Sequence, residues 1–312
     1  MNISEQLFWD RPCPLCGGTR KTVLRDANWA SEQNVEEIAR IYCSSSETKL
    51  MDPLVRCDEC GCQYLSPCLH PEKIQEGYTD AVDPVFVTQN PFRIATFTRT
   101  LQSISQRVAL PEGSRILDVG CAGGAFPKAA KDLGFNPVGI EPSRWMCEFA
   151  KKEYQLDVRQ GTLEEQHFAD EKFDMVTLWD VLEHVAEPAV TLKLVHKLLS
   201  SEGTLVLTYP DISGWPARLM GSRWPFLLSV HLTYYTPETI TRQLAETGFV
   251  VHSIVPYWQT LSLGYALKRA AQVSKLFTPL FNGLGWLATK VNCEKMAFRY
   301  YMSQTLVIAK PI

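Results

Sequence analysis

Residues 116–126 read Ile116-Leu-Asp118-Val-Gly120-Cys-Ala122-Gly-Gly124-Ala-Phe126. The apolar start, the acid that ends it and the glycines that follow predict a buried strand, a tight turn and a helix, because glycine adopts backbone conformations that other residues avoid. A nicotinamide dinucleotide fingerprint would need glycines at positions 120, 122 and 125. Positions 122 and 125 are alanines, so this stretch indicates a strand–turn–helix unit of another kind.

Short apolar segments alternate with helical patterns around and after this stretch. Strands are predicted at residues 115–119, 137–140, 156–159, 173–178, 204–209, 249–255 and 304–309. Helices are predicted at residues 126–133, 144–154 and 188–199, and from Thr236-Pro237-Glu238 to Gly248. The alternation predicts an α/β fold built on a doubly wound, seven-stranded, mostly parallel sheet with helices on both faces. Such a sheet binds its ligand beyond the carboxyl ends of its strands.

An acidic residue also ends the second of these strands, because Val138-Gly-Ile-Glu141 places Glu141 21 residues after Gly120. A carboxylate at this position can accept hydrogen bonds from both hydroxyls of a ribose. A solvated charge is the alternative for any single glutamate, but the position at the end of an apolar strand favours nucleotide binding. Charge-assisted hydrogen bonds contribute about 1.5–3 kcal/mol each, so we expect loss of Glu141 to weaken cofactor binding severely.

Asp118, Gly120 and Gly124 resemble motif I of the class I S-adenosylmethionine-dependent methyltransferases, in which an acid precedes alternating glycines. Ala122 replaces the middle glycine of that motif. Residues 173–185 closely resemble the fourth-strand motif of the subgroup that includes quinone-biosynthesis methyltransferases. The resemblance implies a Rossmann-like methyltransferase fold with S-adenosyl-L-methionine as cofactor. The cofactor-binding residues that it implies are Asp118, Gly120, Ala122, Gly124, Glu141, Thr162, Leu163, Trp179 and Asp180.

The reaction of this family is a direct displacement, in which a nucleophile of the acceptor attacks the sulfonium methyl group and S-adenosylhomocysteine leaves. A base is needed only where the acceptor must lose a proton. His184 is the first candidate, because it follows the fourth strand and an imidazole pKa of about 6.5 suits proton transfer. The alternative is that Glu183-His184 orients the following helix or contacts the cofactor. His231 and Tyr235 are further catalytic candidates, with a structural role as the stronger alternative for His231.

Residues 211–237 follow a strand on the binding side and are much longer than an ordinary connection. The segment carries aromatic and basic residues, namely Trp215, Arg218, Arg223, Trp224, Phe226, His231, Tyr234 and Tyr235. The aromatic rings could stack on an acceptor while the arginines pair with a phosphate or a carboxylate. An aromatic lid that packs on the core is the alternative.

The N-terminal region contains two matched cysteine pairs, Cys13-Pro-Leu-Cys16-Gly and Cys57-Asp-Glu-Cys60-Gly. Two such turns can direct four thiolates at one ion. The predicted ligands of a structural Zn2+ in a small zinc ribbon are therefore Cys13, Cys16, Cys57 and Cys60. A redox dithiol is the alternative, but two pairs that are each followed by glycine favour zinc. Four thiolate ligands leave no open position for water, so this site is not expected to be catalytic.

These patterns divide the chain into a zinc-ribbon-like domain at residues 1–70, a helical linker or lid at 71–110, and a methyltransferase domain at 111–312. The last part carries two insertions on the acceptor side, at residues 211–237 and 261–301. The second insertion contains an apolar, aromatic stretch with basic residues around it, namely Lys268, Arg269, Lys275 and Lys290. Such a stretch can lie in a membrane interface. Core packing or a dimer contact is the alternative.

The composition limits the classes of partner. Thirty-one basic and 34 acidic residues give a net charge of -3, which argues against nucleic acid as the main partner. No apolar run is long enough for a confident membrane span, and the N-terminus lacks the pattern of a secretory signal. We therefore expect a cytoplasmic protein, with a weak peripheral contact to a membrane as a further option.

The leading hypothesis is S-adenosylmethionine-dependent methyl transfer to a small-molecule acceptor. Cysteine turns before such a domain resemble the layout of sugar C-methyltransferases, although the catalytic tyrosine–histidine signature of that family is not found here. A sugar or glycan precursor, free or lipid-linked, is thus the expected acceptor class. The enzymatic alternative is an RNA or protein methyltransferase that binds its macromolecule through the ribbon. The other alternative is a non-catalytic zinc-ribbon binding protein with a cofactor-sensing domain.

Overall fold

The computed structural model describes residues 8–28, 50–79, 82–169, 171–273 and 278–312; Lys275, considered above, lies outside them. The helices in these ranges are α1 (Pro71–Thr79), α2 (Pro84–Val87), α3 (Asn90–Ser105), α4 (Ala125–Asp132), α5 (Arg144–Tyr154), α6 (Pro188–Leu198), α7 (Trp215–Met220), α8 (Pro237–Ala245), α9 (Leu263–Val273) and α10 (Thr278–Lys290). The strands are β1 (Phe8–Trp9), β2 (Lys21–Arg25), β3 (Leu54–Cys57), β4 (Gln63–Leu65), β5 (Cys68–Leu69), β6 (Arg115–Val119), β7 (Asn136–Glu141), β8 (Asp157–Gln160), β9 (Phe173–Trp179), β10 (Leu199–Pro210), β11 (Thr233–Tyr234), β12 (Phe249–Pro256), β13 (Gln259–Ser262), β14 (Ala297–Tyr300) and β15 (Gln304–Pro311).

The main sheet has seven strands in the order β12-β15-β10-β9-β6-β7-β8. Strands β10, β9, β6, β7 and β8 pair in parallel, whereas β15 runs antiparallel to its neighbours β10 and β12. Central strands of such a sheet are apolar along their length because both of their faces are covered. In β6, for example, Ile116, Leu117 and Val119 are all buried. The predicted doubly wound, mostly parallel α/β fold is confirmed.

Strand β10 begins earlier than the sequence pattern predicts. Helix α6 ends at Leu198 and β10 starts at Leu199, whereas the predicted strand starts at residue 204. Leu199 pairs with Phe173, and the register of the pairing then shifts before Thr204. An irregularity of this kind inserts residues that interrupt the alternation of buried and exposed side chains, so the early start is not visible in the sequence.

Strand β6 lies where the strand order reverses, between β7 and β9. The loops that follow these three strands leave the sheet at the same edge, which is where sheets of this class bind ligands. The loop after β6 contains the glycine-rich turn, the loop after β7 follows Glu141, and the loop after β9 contains His184. The segments predicted to bind the cofactor and to catalyse the reaction therefore meet at one edge of the sheet.

The N-terminal ribbon (residues 8–28 and 50–70) shares a second sheet with the 211–237 insertion. Strands β2, β3 and β4 pair antiparallel, and β11 of the insertion extends this sheet at the edge of β4. Arg11, which is 1% exposed, donates hydrogen bonds to the Leu232 carbonyl at 2.9 Å and to the Ala186 carbonyl at 2.6 Å. The ribbon is thus bonded to the binding side of the main sheet.

The insertion at residues 261–301 contains the α9–α10 hairpin (residues 263–273 and 278–290). Strands β13 and β14 pair antiparallel on either side of the two helices and form the stem of the insertion. Among the described residues, no helix has both the length and the apolar character needed to cross a membrane.

Candidate functional site

A cavity of about 1780 Å³ opens at the carboxyl ends of β6, β7 and β9. Helix α3, the 211–237 insertion and the α9–α10 hairpin complete its walls. Eight of the predicted cofactor-binding residues line it, namely Asp118, Gly120, Ala122, Glu141, Thr162, Leu163, Trp179 and Asp180. The predicted catalytic residues His184 and His231 line the same cavity. The fold therefore brings both groups of residues to one space.

The turn after β6 has left-handed backbone conformations at three positions. Gly120 has φ +71° and Gly124 has φ +79°, and Ala122 has φ +45° despite its side chain. A residue other than glycine at such an angle is strained by about 1–3 kcal/mol. Space also requires glycine at position 120, because a Cβ there would lie 2.7 Å from the side chain of Val181. Ala122 therefore holds, at the position of the middle glycine of motif I, a backbone conformation that glycine adopts more readily.

Gly124 is the one predicted cofactor-binding residue that does not line the cavity. It precedes the first residue of α4, and a Cβ at this position would lie 2.9 Å from the Cβ of Ala150 and 2.8 Å from Leu156. The close packing of α4 against its neighbours accounts for this glycine. The predicted contact of Gly124 with the cofactor has no support from its position and stays a prediction.

Glu141 holds the turn after β6 and faces the cavity. Its Oε2 atom accepts a hydrogen bond from the Ala122 amide and its Oε1 atom accepts one from the Ser143 amide, each at 2.9 Å. Burial raises the pKa of Glu141 to about 7, although the two amide hydrogen bonds oppose this shift. Each carboxylate oxygen can accept a further hydrogen bond, so the two oxygens together can still bind both hydroxyls of a ribose.

Two aspartates line the cavity near this turn, and neighbouring strands hold both. Asp118 Oδ1 accepts a 2.6 Å hydrogen bond from the Thr177 hydroxyl, and burial raises the pKa of Asp118 well above its usual range. Asp180 has φ +53°, and its carboxylate accepts hydrogen bonds from Thr208 at 2.9 Å and Gln304 at 2.8 Å. These carboxyl groups are in place to bind a cationic group, which would favour their ionised form.

Trp179 forms an aromatic wall of the cavity. Its ring centroid lies 4.9 Å from that of Phe97 and 5.1 Å from that of Phe126. Its buried Nε1 has no hydrogen-bond partner among the described residues. An unpaired buried donor costs about 1–3 kcal/mol, so this N–H is suited to donate to a ligand. The amide of Thr162, by contrast, already donates to Glu165 Oε2 at 2.8 Å.

Two polar residues at the start of α3 also line the cavity, and neither was predicted from the sequence. Asn90 Nδ2 donates a 3.0 Å hydrogen bond to the Gly123 carbonyl. The Arg93 guanidinium lies 3.4 Å from the ring centroid of Phe86, and burial lowers the pKa of Arg93. None of the ion pairs between described residues includes Arg93. The available signal was the presence of these polar side chains in a helix with apolar residues at helical spacing.

The two histidines of the cavity face each other, with ring centroids 4.7 Å apart. His184 Nδ1 lies 2.9 Å from the Val230 carbonyl, and His231 Nδ1 lies 2.8 Å from the Phe226 carbonyl. A carbonyl only accepts hydrogen bonds, so Nδ1 carries the proton in each ring and Nε2 is the basic nitrogen. Burial lowers the pKa of His184 to about 4 and that of His231 well below its usual range. Both rings are therefore neutral near pH 7.

Glu183 adds a buried carboxyl group beside this pair. Its two side-chain oxygens have no hydrogen-bond partner among the described residues. Burial, and to a lesser degree the neighbouring Asp180, raises the pKa of Glu183 well above its usual range. Ligand atoms of Glu183, His184 and His231 all lie within 4.8 Å of one another. Two imidazoles and one carboxylate form a donor set that suits a divalent cation as well as a proton.

The aromatic residues of the 211–237 insertion were expected either to contact the acceptor or to pack on the core, and the structure shows rings at both places. Trp224 and Phe226 line the cavity, together with Arg223. Tyr234 is instead buried, and its hydroxyl donates a 2.8 Å hydrogen bond to a backbone carbonyl of the same insertion. The insertion thus supplies cavity wall with some rings and packs on the core with others.

Tyr235 lies in the core and does not line the cavity. Its ring packs against Tyr209 at 5.9 Å between centroids, and its hydroxyl has no hydrogen-bond partner among the described residues. A catalytic group must reach the acceptor, so the predicted catalytic role of Tyr235 finds no support in its position. The geometry favours the two histidines instead.

The sulfur atoms of the predicted zinc ligands all lie within 4.8 Å of one another: Cys13, Cys16, Cys57 and Cys60. The Sγ atoms of Cys13 and Cys60 are 3.4 Å apart, and those of Cys16 and Cys57 are 3.5 Å apart. Zinc–sulfur distances of about 2.3 Å in a tetrahedral site separate the sulfurs by about 3.8 Å. The four thiolates therefore fit one zinc ion.

A family described as methyltransferase domain matches residues 92–254 of the chain. A ubiquinone biosynthesis O-methyltransferase of Azorhizobium caulinodans is 32% identical over 150 residues, which cover 44% of this chain and 59% of that protein. The protein of the same name from Hahella chejuensis is 39% identical over 95 residues, which cover 28% of this chain and 40% of that protein. The chain thus spans about half the length of these relatives.

Solved structures resemble the chain at lower identity. A methyltransferase from Thermotoga maritima, described as a possible histamine N-methyltransferase, has 19% identity and a TM-score of 0.46, over 71% of this chain and 90% of that one. Magnesium protoporphyrin IX methyltransferase from Synechocystis has 16% identity and a TM-score of 0.46, over 74% of this chain and 89% of that one.

Proposed function

The chain belongs to the methyltransferase domain family, and we propose that it transfers the methyl group of S-adenosyl-L-methionine to a small-molecule acceptor. The observation that carries this proposal is the position of Glu141. Its carboxylate closes the glycine-rich turn and lines the same cavity as the neutral side chains of His184 and His231. One cavity therefore combines a ribose acceptor with two groups that can take up a proton.

The residues near the turn suit the chemistry of this cofactor. Glu141 can accept hydrogen bonds from the ribose, and Asp118 and Asp180 can bind the ammonium group. Arg93, the basic residue of α3 that lines the cavity, can pair with the carboxylate. When bound, the cofactor supplies a methyl group that its sulfonium charge already activates, so the task of the chain is mainly to position the reactants.

We propose that His184 and His231 provide the base for a hydroxyl acceptor. Nδ1–H of each ring donates to a carbonyl, which fixes the ring and leaves Nε2 as the nitrogen that accepts the proton. The acceptor oxygen releases its proton to Nε2 while its electron pair forms the bond to the methyl carbon. The electron pair of the broken carbon–sulfur bond remains on sulfur.

We further propose a hydroxylated acceptor of the sugar or glycan-precursor class, methylated at oxygen. The relatives described above support oxygen as the methylated atom, since they are named O-methyltransferases. Phe226 offers a ring on which the acceptor can stack, with the buried Trp224 packed behind it, and Arg223 in the same wall can pair with a phosphate or a carboxylate. These side chains support an acceptor with a ring and an anionic group.

The four clustered cysteines are proposed to hold a structural Zn2+ in the N-terminal ribbon. With all four positions taken by thiolates, the ion has no room for water or acceptor, so its contribution is to fold the ribbon. Metal analysis of the purified protein tests this assignment: we expect about one zinc per chain, and a metal-free ribbon with readily alkylated cysteines would overturn it.

Calorimetry with S-adenosyl-L-methionine tests the cofactor assignment. We expect binding by the wild-type protein and a weakening of about 10- to 150-fold in Glu141→Gln, because the uncharged amide loses charge-assisted hydrogen bonds to the ribose. Glu148→Gln, at an exposed position of α5, is the matched control and should bind normally. No binding by the zinc-loaded wild type would refute the proposed function, and unchanged affinity of Glu141→Gln would refute the ribose contact.

The acceptor needs a separate experiment. Cofactor with an isotope-labelled methyl group is incubated with the protein and a fractionated cell extract. We expect label in a small, alkali-stable product, as an ether would be. Label in RNA or in protein would instead show that the acceptor is a macromolecule.

A further inference from the structure

Helix α10 presents an apolar stripe to the outside of the molecule. Leu280, Leu284 and Leu287 are 57%, 41% and 50% exposed, and Val291 beyond the helix end is 61% exposed. Their spacing of four, three and four residues places them on one side of a helix. Trp286 on a neighbouring side is 65% exposed. An exposed stripe of large apolar residues marks a surface that another apolar phase covers.

A side of α10 next to this stripe faces the protein. Ala288 is buried, and Phe281 lines the large cavity together with Tyr265 and Lys268 of α9. The α9–α10 hairpin therefore lines the cavity with some side chains and presents an exposed apolar stripe with others. Whatever covers the stripe lies next to a helix that lines the cavity.

The charge of the insertion indicates what covers it. Residues 261–301 contain one acid, Glu294, and six basic residues, namely Lys268, Arg269, Lys275, Lys290, Lys295 and Arg299. This gives the insertion a net charge of +5 in a chain whose net charge is -3. Within α10 the only charged residue is Lys290, whose Nζ lies 5.6 Å from the ring centroid of Trp286.

We propose that the α9–α10 hairpin docks on the surface of an anionic lipid bilayer. Leucine and tryptophan side chains of α10 enter the headgroup boundary, and the exposed Lys290 at the end of the helix faces the lipid phosphates. The described helices do not meet the requirements for a membrane span, so α10 lies in the plane of the surface. A second copy of the chain fits less well, because a symmetric contact through this stripe would bring two strongly basic insertions together.

Docking in this orientation defines a class of acceptor for the proposed methyl transfer, and this step rests on the proposed function. The cavity wall formed by Phe281 and Tyr265 would lie next to the lipid phase. An acceptor with a hydroxylated head and a lipid tail could then place its head in the cavity while its tail stays in the bilayer. The acceptor class is therefore a lipid-linked sugar or another amphiphile.

Vesicle flotation with the full chain tests the docking surface. We expect the protein to float with phosphatidylcholine vesicles that contain phosphatidylglycerol, and less so with phosphatidylcholine alone or at high salt, since surface charge attracts the lysines. The double variant Leu284→Glu with Trp286→Glu should reduce the bound fraction about tenfold. Val250→Glu, at a valine of β12 that is 52% exposed and lies outside the insertion, is the matched control.

Three outcomes overturn the docking proposal: no flotation of the wild type, equal flotation of the double variant, or equal loss in Val250→Glu. Sedimentation velocity adds a fourth, since dimers that the same double variant abolishes, without vesicle binding, would assign the stripe to a second copy. The assay contains no cofactor, so a chain that floats but does not bind S-adenosyl-L-methionine would refute the proposed function alone. Methyl transfer to water-soluble acceptors with no gain from a lipid tail would refute the acceptor class alone.

Discussion

The N-terminal ribbon and the α9–α10 hairpin are both additions to the seven-stranded domain. The hairpin lines the cavity itself, whereas the ribbon contacts the insertion that lines it, and the two additions are attached in different ways. The ribbon continues through β4 into β11, so backbone hydrogen bonds join it to the insertion that carries His231. Its buried Arg11 donates hydrogen bonds to the carbonyl of Leu232, which follows His231, and to the carbonyl of Ala186, two residues after His184. The hairpin instead stands on the β13–β14 stem and leaves one side of α10 exposed.

This difference assigns different tasks to the two additions. An element that shares a sheet and buries an arginine can fix the position of side chains, because each of its bonds is lost if the element shifts. An element with an exposed apolar stripe can be stably folded and still need a partner that covers the stripe. The ribbon is therefore expected to determine the positions of the two histidines in the cavity. The hairpin is expected to determine which surface or phase the cavity lies next to.

Removal of the metal from the ribbon should have the largest effect. Structural zinc contributes about 10–16 kcal/mol in small zinc domains, so Cys57→Ser should lose the metal and unfold the ribbon. Methyl transfer should then fall sharply, while S-adenosyl-L-methionine still binds within a few-fold, because Glu141 lies on the main sheet. Metal analysis, circular dichroism and calorimetry measure these effects. Cys293→Ser, outside the cluster, is the control. If Cys57→Ser loses cofactor binding to the same extent as methyl transfer, the ribbon affects the cofactor site as well as the histidines.

Arg11→Ala tests the link between the ribbon and the histidines without removal of the metal. The variant loses hydrogen bonds to the Leu232 and Ala186 carbonyls and to Thr233 Oγ1. Each buried acceptor left unpaired costs about 1–3 kcal/mol, so we expect a clear fall in melting temperature. The rate constant kcat should fall with little change in cofactor affinity.

Arg20→Ala provides the matched control for this variant, because Arg20 is an exposed arginine of the same ribbon. A purely structural role of Arg11 would lower stability and leave kcat of the folded fraction unchanged. That outcome would confine the ribbon to folding and remove its role in catalysis.

The pH dependence of cofactor affinity should report on Glu141, at the end of the cavity next to the main sheet. The pH dependence of kcat should report on His184, at the end that the ribbon contacts. The pKa of Glu141 is raised to about 7, so below that pH the carboxyl is protonated and cofactor affinity should fall, by about tenfold per pH unit. The pKa of His184 is lowered to about 4, so this base stays neutral and can accept a proton well below the ordinary value of about 6.5. Affinity by calorimetry and kcat at saturating cofactor should therefore decline in different pH ranges.

Two variants sharpen this test. Glu141→Gln should remove the decline of affinity near pH 7, because its amide does not titrate in this range. Arg11→Ala should move the decline of kcat toward the ordinary histidine pKa, since a loosened wall admits water to the rings. A single shared decline of affinity and kcat in the wild type would contradict the separation of the two ends.

The main sheet could be predicted from the sequence because its strands are short, apolar and separated by helices, so each element is visible locally. The turn at Gly120 and the acid at Glu141 follow from the same local pattern, which is why the residues that line this end of the cavity could be named from the sequence. The pairing of β11 with β4 joins residues that are far apart in the chain. No local pattern encodes such a contact, and the link between the ribbon and His231 was therefore missed.

Side-chain direction explains the remaining differences. Tyr235 follows Tyr234 in an aromatic segment, and the sequence alone does not show that both rings turn into the protein while Phe226 lines the cavity. Arg93 could not be predicted to line the cavity because its position depends on tertiary packing. Its helix has an ordinary amphipathic pattern, and only the packing of α3 across the glycine-rich turn brings this arginine to the cavity.

The smallest effect, on the free energy of unfolding, is expected from Leu284→Glu in solution. Leu284 is 41% exposed, and surface substitutions away from special features change stability by about 0.5 kcal/mol or less. Ala288→Glu, four residues further along the same helix, places a charge at a buried position and should destabilise the protein by several kcal/mol. Chemical denaturation of both variants measures the difference. If Leu284→Glu is as destabilising as Ala288→Glu, the outer side of α10 is packed against protein, and the hairpin resembles the ribbon in being held from both sides.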